Sequence, residues 1–457
     1  MPVFLIALVS LIRVLVPRSR IHRRIIGLCG GLLLGIGAGA SFLGNTPQLG
    51  LPTETVRGIG GVMGEDPRES RNGRGMGNLD LRGVTGPGFL RATARGRVLV
   101  FFPADALPRL RDFGRGAEVF VEGSFVEGSD SFSGPPMFRA QSVHIVKPPP
   151  AREQLRTGIR LAILDKLEGH IWGGLGGALL LGVKDNLDSA LAQKYRAAGC
   201  SHVLALSGMH LAIVAALVAF FLRKPLGLKA AAILGAVLIL LYVGLIGVQP
   251  SLERAAIMYL LGTVAVLGFL PRQPGTNGPL SLLALAFLIQ ITIRPAAGTS
   301  ISFILSYLAL AGILTLGEFF HSILRGRAPE FLVRPLSASL GAYLATAAVV
   351  AANFGIVRPV GLLAGLIIIP LTTVFMVGAM AALALSFISP FLANIVGMGL
   401  TLLYSLLDHT VSLAARVPGI VVNGWSRELC LSLLIAALCL FPGRPYRIRR
   451  QALAPFT

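Results

Sequence analysis

The chain has 457 residues, 54% of them hydrophobic and 14% charged, with a mean hydropathy of +0.74. A chain built only of water-soluble domains is excluded, since these carry about a quarter charged residues. Lys and Arg number 41 against 21 Asp and Glu, a formal net charge of +20, which has two common sources: cytoplasmic loops that fix membrane orientation, or a surface for polyanions.

Apolar runs of roughly spanning length, on the order of 17 to 25 residues, lie near 2–16, 25–44, 203–222, 230–247, 253–270, 279–293, 299–319, 337–354, 359–385, 391–408 and 427–442. They predict a polytopic α-helical membrane protein of about eleven spans. The first run lacks the basic segment that opens a signal peptide, so it reads as a short membrane helix interrupted by Arg13. Residues 1–44 then hold two N-terminal transmembrane helices.

Residues 45–150 differ in kind. Turn clusters such as Arg71-Asn-Gly-Arg-Gly and Ser131-Phe-Ser-Gly-Pro-Pro separate runs rich in β-branched and aromatic residues: Arg97-Val-Leu-Val-Phe-Phe, Glu118-Val-Phe-Val-Glu-Gly and Phe138-Arg-Ala-Gln-Ser-Val-His-Ile-Val. Five or six strands are expected, forming an inserted all-β domain of the OB-like barrel type. Its charges nearly cancel: thirteen basic and eleven acidic residues lie in 51–150. A nucleic-acid surface there would rest on stacking aromatics and a few arginines, with Phe101, Phe102, Phe120 and Phe138 beside Arg95, Arg97 and Arg139 as candidates. Strand alternation predicts that about half of those rings are core.

Residues 151–200 are expected to be amphipathic and interfacial. Leu155, Ile159, Ile163 and Leu167 form an apolar row beside Arg152, Arg156 and Arg160, the pattern of a basic helix at a membrane surface. Asp185 and Asp188 read as a solvated helix start in preference to an acid or metal pair. The membrane bundle occupies 201–443, and 444–457 is a basic tail. With the N-terminus outside, basic residues of the cytoplasmic loops outnumber those of the opposite loops fifteen to five. The β domain is then extracytoplasmic and the C-terminus cytoplasmic. Four cysteines, Cys29, Cys200, Cys430 and Cys439, suggest neither a disulfide framework nor a zinc knuckle and read as packing residues.

The most informative stretch is Ala197-Ala-Gly-Cys-Ser-His-Val-Leu-Ala-Leu-Ser-Gly-Met-His-Leu-Ala, where small and polar residues open an apolar run. Taken as one helix, it sets His202 and His210 roughly 12 Å apart along the axis, too far to share a metal ion. Ser207 and His210, three residues apart on that helix, would share a face and line a polar path, or else serve helix packing. Glu253 and Arg254 are ionisable residues at membrane depth, and so functional candidates, although an arginine that snorkels to the interface is the plainer alternative. No Gly-x-Ser-x-Gly elbow accompanies the Ser–His pair, and no acidic residue is evident as an orienter.

This stretch resembles the signature of the ComEC family of competence channel proteins, a Gly-x-Ser-His followed by Ser-Gly-x-His. Pro250-Ser-Leu-Glu-Arg-Ala is similar to the family's Pro-Ser-x-x-Arg-Ala, and Ser302-Phe-Ile-Leu-Ser-Tyr to its Gly-Phe-x-Leu-Ser, with Ser302 in place of the Gly. The likeness covers nearly the whole chain. It departs at Gly365, where the family often has an Asn, and no His-x-His-x-Asp-His run occurs, so the metal-dependent nuclease that many members append is not expected here.

The resemblance implies a channel component for single-stranded DNA in the bacterial inner membrane, active in natural transformation, with neither cofactor nor metal. His202, Ser207, Gly208, His210, Ser251, Arg254 and Ser306 would line the path, and Arg95, Arg97, Phe101 and Arg139 would receive DNA. Each phosphate crossing the field costs about 2.3 kcal/mol per 100 mV, and no Gly-Lys-Ser/Thr loop occurs in the chain to power a pull. Expected partners are therefore an extracytoplasmic DNA receptor, a cytoplasmic ATPase or helicase, single-strand-binding proteins, a separate nuclease and the lipid bilayer; a homo-oligomer stays open. The alternatives are a small-molecule or ion permease with an external β domain, and a membrane-embedded hydrolase.

Overall fold

The computed structural model describes residues 48–70, 73–126, 136–247, 249–268, 277–294, 297–298 and 300–422. The expected spans at 2–16, 25–44 and 427–442, the tail 444–457 and Cys29, Cys430 and Cys439 lie outside the described residues.

The β domain contains β1 (Gln48–Leu49), β2 (Gly58–Met63), β3 (Arg68–Glu69), β4 (Gly75–Thr85), β5 (Arg91–Arg95), β6 (Arg97–Phe102), β7 (Glu118–Phe125) and β8 (Met137–Lys147), with helix α1 (Leu107–Phe113) between β6 and β7. Five of these close a ring: β4 pairs β2, β2 pairs β7, β7 pairs β8, β8 pairs β6 in parallel, and β6 returns to β4. Alternation turns Val98, Val100, Phe102, Val119, Val121 and Phe138 into one apolar core. Among the described residues the sheet has eight strands, against the five or six expected. The additions are two-residue pairings, too short for alternation to reveal, and β5, whose Arg-Ala-Thr-Ala-Arg carries little strand signal.

After the barrel come α2 (Ala151–Glu168), α3 (Gly173–Leu181), α4 (Ser189–Ala197), α5 (Gly208–Ile246), α6 (Pro250–Leu267), α7 (Asn277–Ile293) and α8 (Ile301–Gly312). A π turn at Ile313–Gly317 leads from α8 into α9 (Glu318–Leu324), and α10 (Glu330–Phe354), α11 (Val360–Ser386) and α12 (Pro390–Ala415) follow. Among the described residues six helices are long and apolar enough to cross a membrane. Helix α5 is one of these and is itself a hairpin. Gly227 sits at φ 76°, beside Pro225, and the chain folds back so that Val218 lies 3.4 Å from the position of a Cβ on Gly235.

The largest core joins α3, α4, α11 and α12 through Trp172, Leu179, Tyr195, Ile368, Phe375 and Val411. Helix α3 is buried almost throughout, which corrects the interfacial reading of that part of 151–200. Its Gly-Gly-Leu-Gly-Gly-Ala start lets neighbouring backbone come close: a Cβ on Gly174 would stand 2.7 Å from the carbonyl carbon of Asn186. Helix α2 does not keep the two rows of a basic interfacial helix apart, since members of each turn inward. Arg156 is buried and the Arg160 side chain nearly so, while Leu155 and Ile159 face outward.

Candidate functional site

The signature stretch is not one helix. Helix α4 ends at Ala197, and Gly199 takes φ +73°, a left-handed position that suits glycine. Arg358, just ahead of α11, donates from Nη1 to Ala197 O at 2.7 Å and closes the helix end. A turn over residues 198–207 follows, anchored by buried Cys200, Val203, Leu204 and Leu206, with Ser201, His202 and Ala205 exposed. The axial separation calculated for His202 and His210 on a continuous helix therefore does not apply.

Ser207 is the N-cap of α5 rather than a residue on its face. Its backbone N–H donates to His210 Nδ1 at 3.1 Å, its Oγ lies 3.0 Å from the same nitrogen, and Oγ accepts from Met209 N at 3.3 Å. This is a reciprocal cap with histidine in the place usually taken by Glu or Gln. His210 is fully buried and its Nε2 has no partner. Accepting at Nδ1 from a backbone N–H leaves the ring proton on Nε2. The pair thus starts a helix, and in this conformation His210 faces no open path.

Three elements that are distant in sequence meet at Arg254. Its guanidinium is buried; Nη1 donates to Ser306 O at 2.9 Å, Nη2 stands against Gly208, and the group lies 5.8 Å from the Tyr307 ring centroid. Nε has no partner, and no described carboxylate pairs with the group. Gly208 comes from the signature stretch, Arg254 from Pro250-Ser-Leu-Glu-Arg-Ala, and Ser306 from Ser302-Phe-Ile-Leu-Ser-Tyr. Ser306 takes part through its carbonyl, Ser251 is half-buried in the first turn of α6, and Ser302 is exposed.

Glu253 points elsewhere. It accepts from Gln290 Nε2 at 2.9 Å and lies 3.7 Å from Arg294. Gln290 also donates to Pro250 O at 3.0 Å, and its Oε1 accepts from Tyr307 Oη at 2.8 Å. A polar seam therefore runs from Arg294 through Glu253, Gln290 and Tyr307 to Arg254. Gln290 and Tyr307 were missed in the sequence. The available signal was a lone amide inside the apolar run of α7.

On the barrel, alternation sorts the aromatic candidates: Phe102 and Phe138 are core, while Phe101 and Phe120 are half-buried. Arg95, Arg97 and Arg139 are exposed. Arg97, Phe101 and Arg139 share the outer face, since Phe101 is in register with Arg139 across the parallel pair. Arg97 pairs with Asp80 at 2.9 Å.

The base of the barrel is held to the helices by charge. Asp66 pairs with Arg156 and, at 3.5 Å, with Arg160; Glu153 pairs with Arg115 at 2.8 Å and with Arg156 at 2.9 Å. The same arginines donate to the end of α5, Arg156 to Leu245 O at 3.3 Å and Arg160 to Ile246 O at 2.8 Å, where carbonyls lack helical partners. Asp185 belongs to this junction, paired with Arg111 at 2.8 Å and accepting from Glu69 N, so it is not the solvated residue expected. Asp188 does start a helix, accepting from Ala190 N at 2.8 Å as the N-cap of α4. Among the described residues no group of three His, Cys, Asp or Glu side chains could hold a metal ion.

Fold and site define a multi-pass membrane protein with a β domain ahead of its membrane bundle, and with the motif residues gathered at one buried arginine. The chain belongs to the Competence protein family, whose model matches residues 179–444. It is also similar to a protein of Aquifex aeolicus (strain VF5) described as uncharacterized, 26% identical over 303 residues, covering 65% of this chain and 68% of the relative. No solved structure matches the chain.

Proposed function

We propose that the chain is the channel component through which single-stranded DNA crosses the bacterial inner membrane during natural transformation, acting as a conduit and not as an enzyme. The observation that carries this reading is Arg254, a buried guanidinium with no carboxylate partner among the described residues, at the meeting point of the motif residues. A buried charge left unpaired costs several kcal/mol, and a passing phosphate is a counter-ion of suitable size and geometry. The exposed turn carrying Ser201 and His202 is the approach to it.

The barrel is read as an OB fold. In support, five strands close the ring, and Arg97 and Phe101 lie on the outer face of its third strand, beside the second, where OB domains take oligonucleotides. Placing the barrel outside the cell is supported by α5: both ends of its hairpin lie toward the barrel, whereas Arg223, Lys224 and Lys229 flank the opposite turn at Gly227. The N-terminus is then extracytoplasmic and the C-terminus cytoplasmic. Counting the two arms of α5, helix α7 and the three runs outside the described residues gives the full set of about eleven spans.

An extracytoplasmic receptor hands DNA to the barrel, a cytoplasmic ATPase or helicase with single-strand-binding proteins pulls it, and a separate nuclease removes the other strand. Transformation with labelled DNA tests the proposal. A strain lacking the chain should hold no nuclease-protected label inside; label equal to that of its parent overturns the channel.

A further inference from the structure

Helix α2 presents two faces of opposite fate. Arg156 and Arg160 turn inward, where Asp66, Glu153 and the last carbonyls of α5 occupy them, while Arg152 stays exposed. The first half of its apolar row turns outward, with Leu155 67% and Ile159 43% exposed and Gly158 and Ala162 exposed between and beyond them, whereas Ile163 and Leu167 pack on the core of the bundle. A helix face made only for water would not carry this exposed Leu155–Ile159 patch.

The hydrogen bonds fix where that row stands. Arg156 and Arg160 grip Leu245 and Ile246, the final residues of a membrane-capable helix, so α2 lies at the level where that helix leaves the apolar layer. One turn earlier on the same arm, Leu240 and Leu241 are exposed, as the lipid-facing side of a spanning helix is. The exposed apolar surface of α5 and that of α2 thus occupy neighbouring levels of one membrane edge.

We propose that α2 is a monotopic helix whose Leu155–Ile159 row is buried in the bilayer surface on the barrel side, floating the barrel at the membrane. The contact is apolar. Although Arg152 stays exposed, Arg156 and Arg160 are bonded within the protein, so insertion rests on the apolar residues and not on anionic headgroups. The proposal stands apart from the DNA reading and requires only that the bundle spans a membrane.

Spin labels test it on the full chain in lipid nanodiscs, with the four native cysteines replaced by alanine and a thermal transition matching the parent's. Single variants Leu155→Cys and Ile159→Cys carry the nitroxide, and Asp80→Cys on the barrel wall serves as the aqueous reference. At the two helix positions collisions with oxygen should exceed those with a water-soluble nickel chelate several-fold, the reverse of Asp80, and the ratio should not change when anionic lipid is added. A ratio like that of Asp80 overturns the proposal. So do labels shielded from both reagents, which would mean a protein cover, and dipolar broadening, which would mean a second copy. Dependence on anionic lipid would overturn the apolar contact.

Discussion

Arg254 and Gly208 share one space: a Cβ on Gly208 would stand 2.8 Å from Arg254 Nη2. The atom it meets is the far end of a flexible side chain, so the arginine would move rather than the helices. At Gly208, the first residue of α5 and not among the glycines with positive φ, alanine adds up to about 1 kcal/mol by restricting the unfolded chain. Gly208→Ala is therefore expected to fold at least as stably as the parent while DNA uptake falls at least tenfold. Thermal unfolding in detergent beside transformation frequency measures both, and normal uptake with Arg254 displaced would remove the arginine from the mechanism.

The guanidinium itself should be a stability cost retained for function. Among the described residues no carboxylate pairs with Arg254 and its Nε is unsatisfied, and a buried unpaired charge is often better replaced by an apolar chain. Arg254→Met is expected to keep or raise the unfolding temperature and to abolish uptake. Arg254→Lys, shorter and without the planar fork, should not restore it. A stable Arg254→Met variant that transforms normally would make the residue a packing accident.

The opposite balance holds where helices touch through backbone. A Cβ on Gly341 would lie 2.5 Å from Gly312 O and 2.6 Å from Gly317 N, at the π turn packed on α10. Neither neighbour can swing away. Gly341→Ala should destabilise the bundle by roughly 1–3 kcal/mol, read as a lower midpoint in denaturant titration of the detergent-solubilised chain, and Gly312→Ala should do the same. No loss at either site would mean that this interface yields more readily than its geometry indicates.

Much of this arrangement was legible in the sequence. Spanning helices follow from apolar runs alone, and the ring strands β6, β7 and β8 from alternation. Helix ends were not: α10 begins at Glu330 and α12 reaches Ala415, because a helix continues through polar turns where hydropathy has already fallen. The motif residues were found one by one, but their convergence on Arg254 depends on contacts between helices, which no local pattern encodes. Periodicity gave α2 its two rows, but not that Arg156 and Arg160 turn into the protein or that Leu167 joins its core while Leu155 faces outward. Which face turns inward was decided by Asp66, some ninety residues away, and by the open carbonyls of α5.

That junction should respond to acid. Burial, the largest single influence on the Asp66 carboxyl, pushes its pKa up, but Arg160, Arg156 and the Arg115 backbone N–H together hold it below its ordinary 3.8. Glu153 behaves alike: burial acts upward, and Arg115, Arg156 and Arg152 bring it below 4.5. A carboxyl with a depressed folded pKa adds stability that is complete above its unfolded pKa and is lost as pH falls through the folded one. The junction should therefore be unchanged from neutral pH down to about pH 5 and loosen only below the ordinary carboxylate range. Hydrogen exchange along Glu153–Arg160 in the full chain reads this directly. Asp66→Asn, which removes a charged hydrogen-bond acceptor worth on the order of 2 kcal/mol, should raise exchange there already at neutral pH and shrink the acid step. Exchange in the parent that rose between neutral pH and pH about 5, or an Asp66→Asn chain as protected as the parent, would show that these carboxylates do not hold the barrel to the membrane domain.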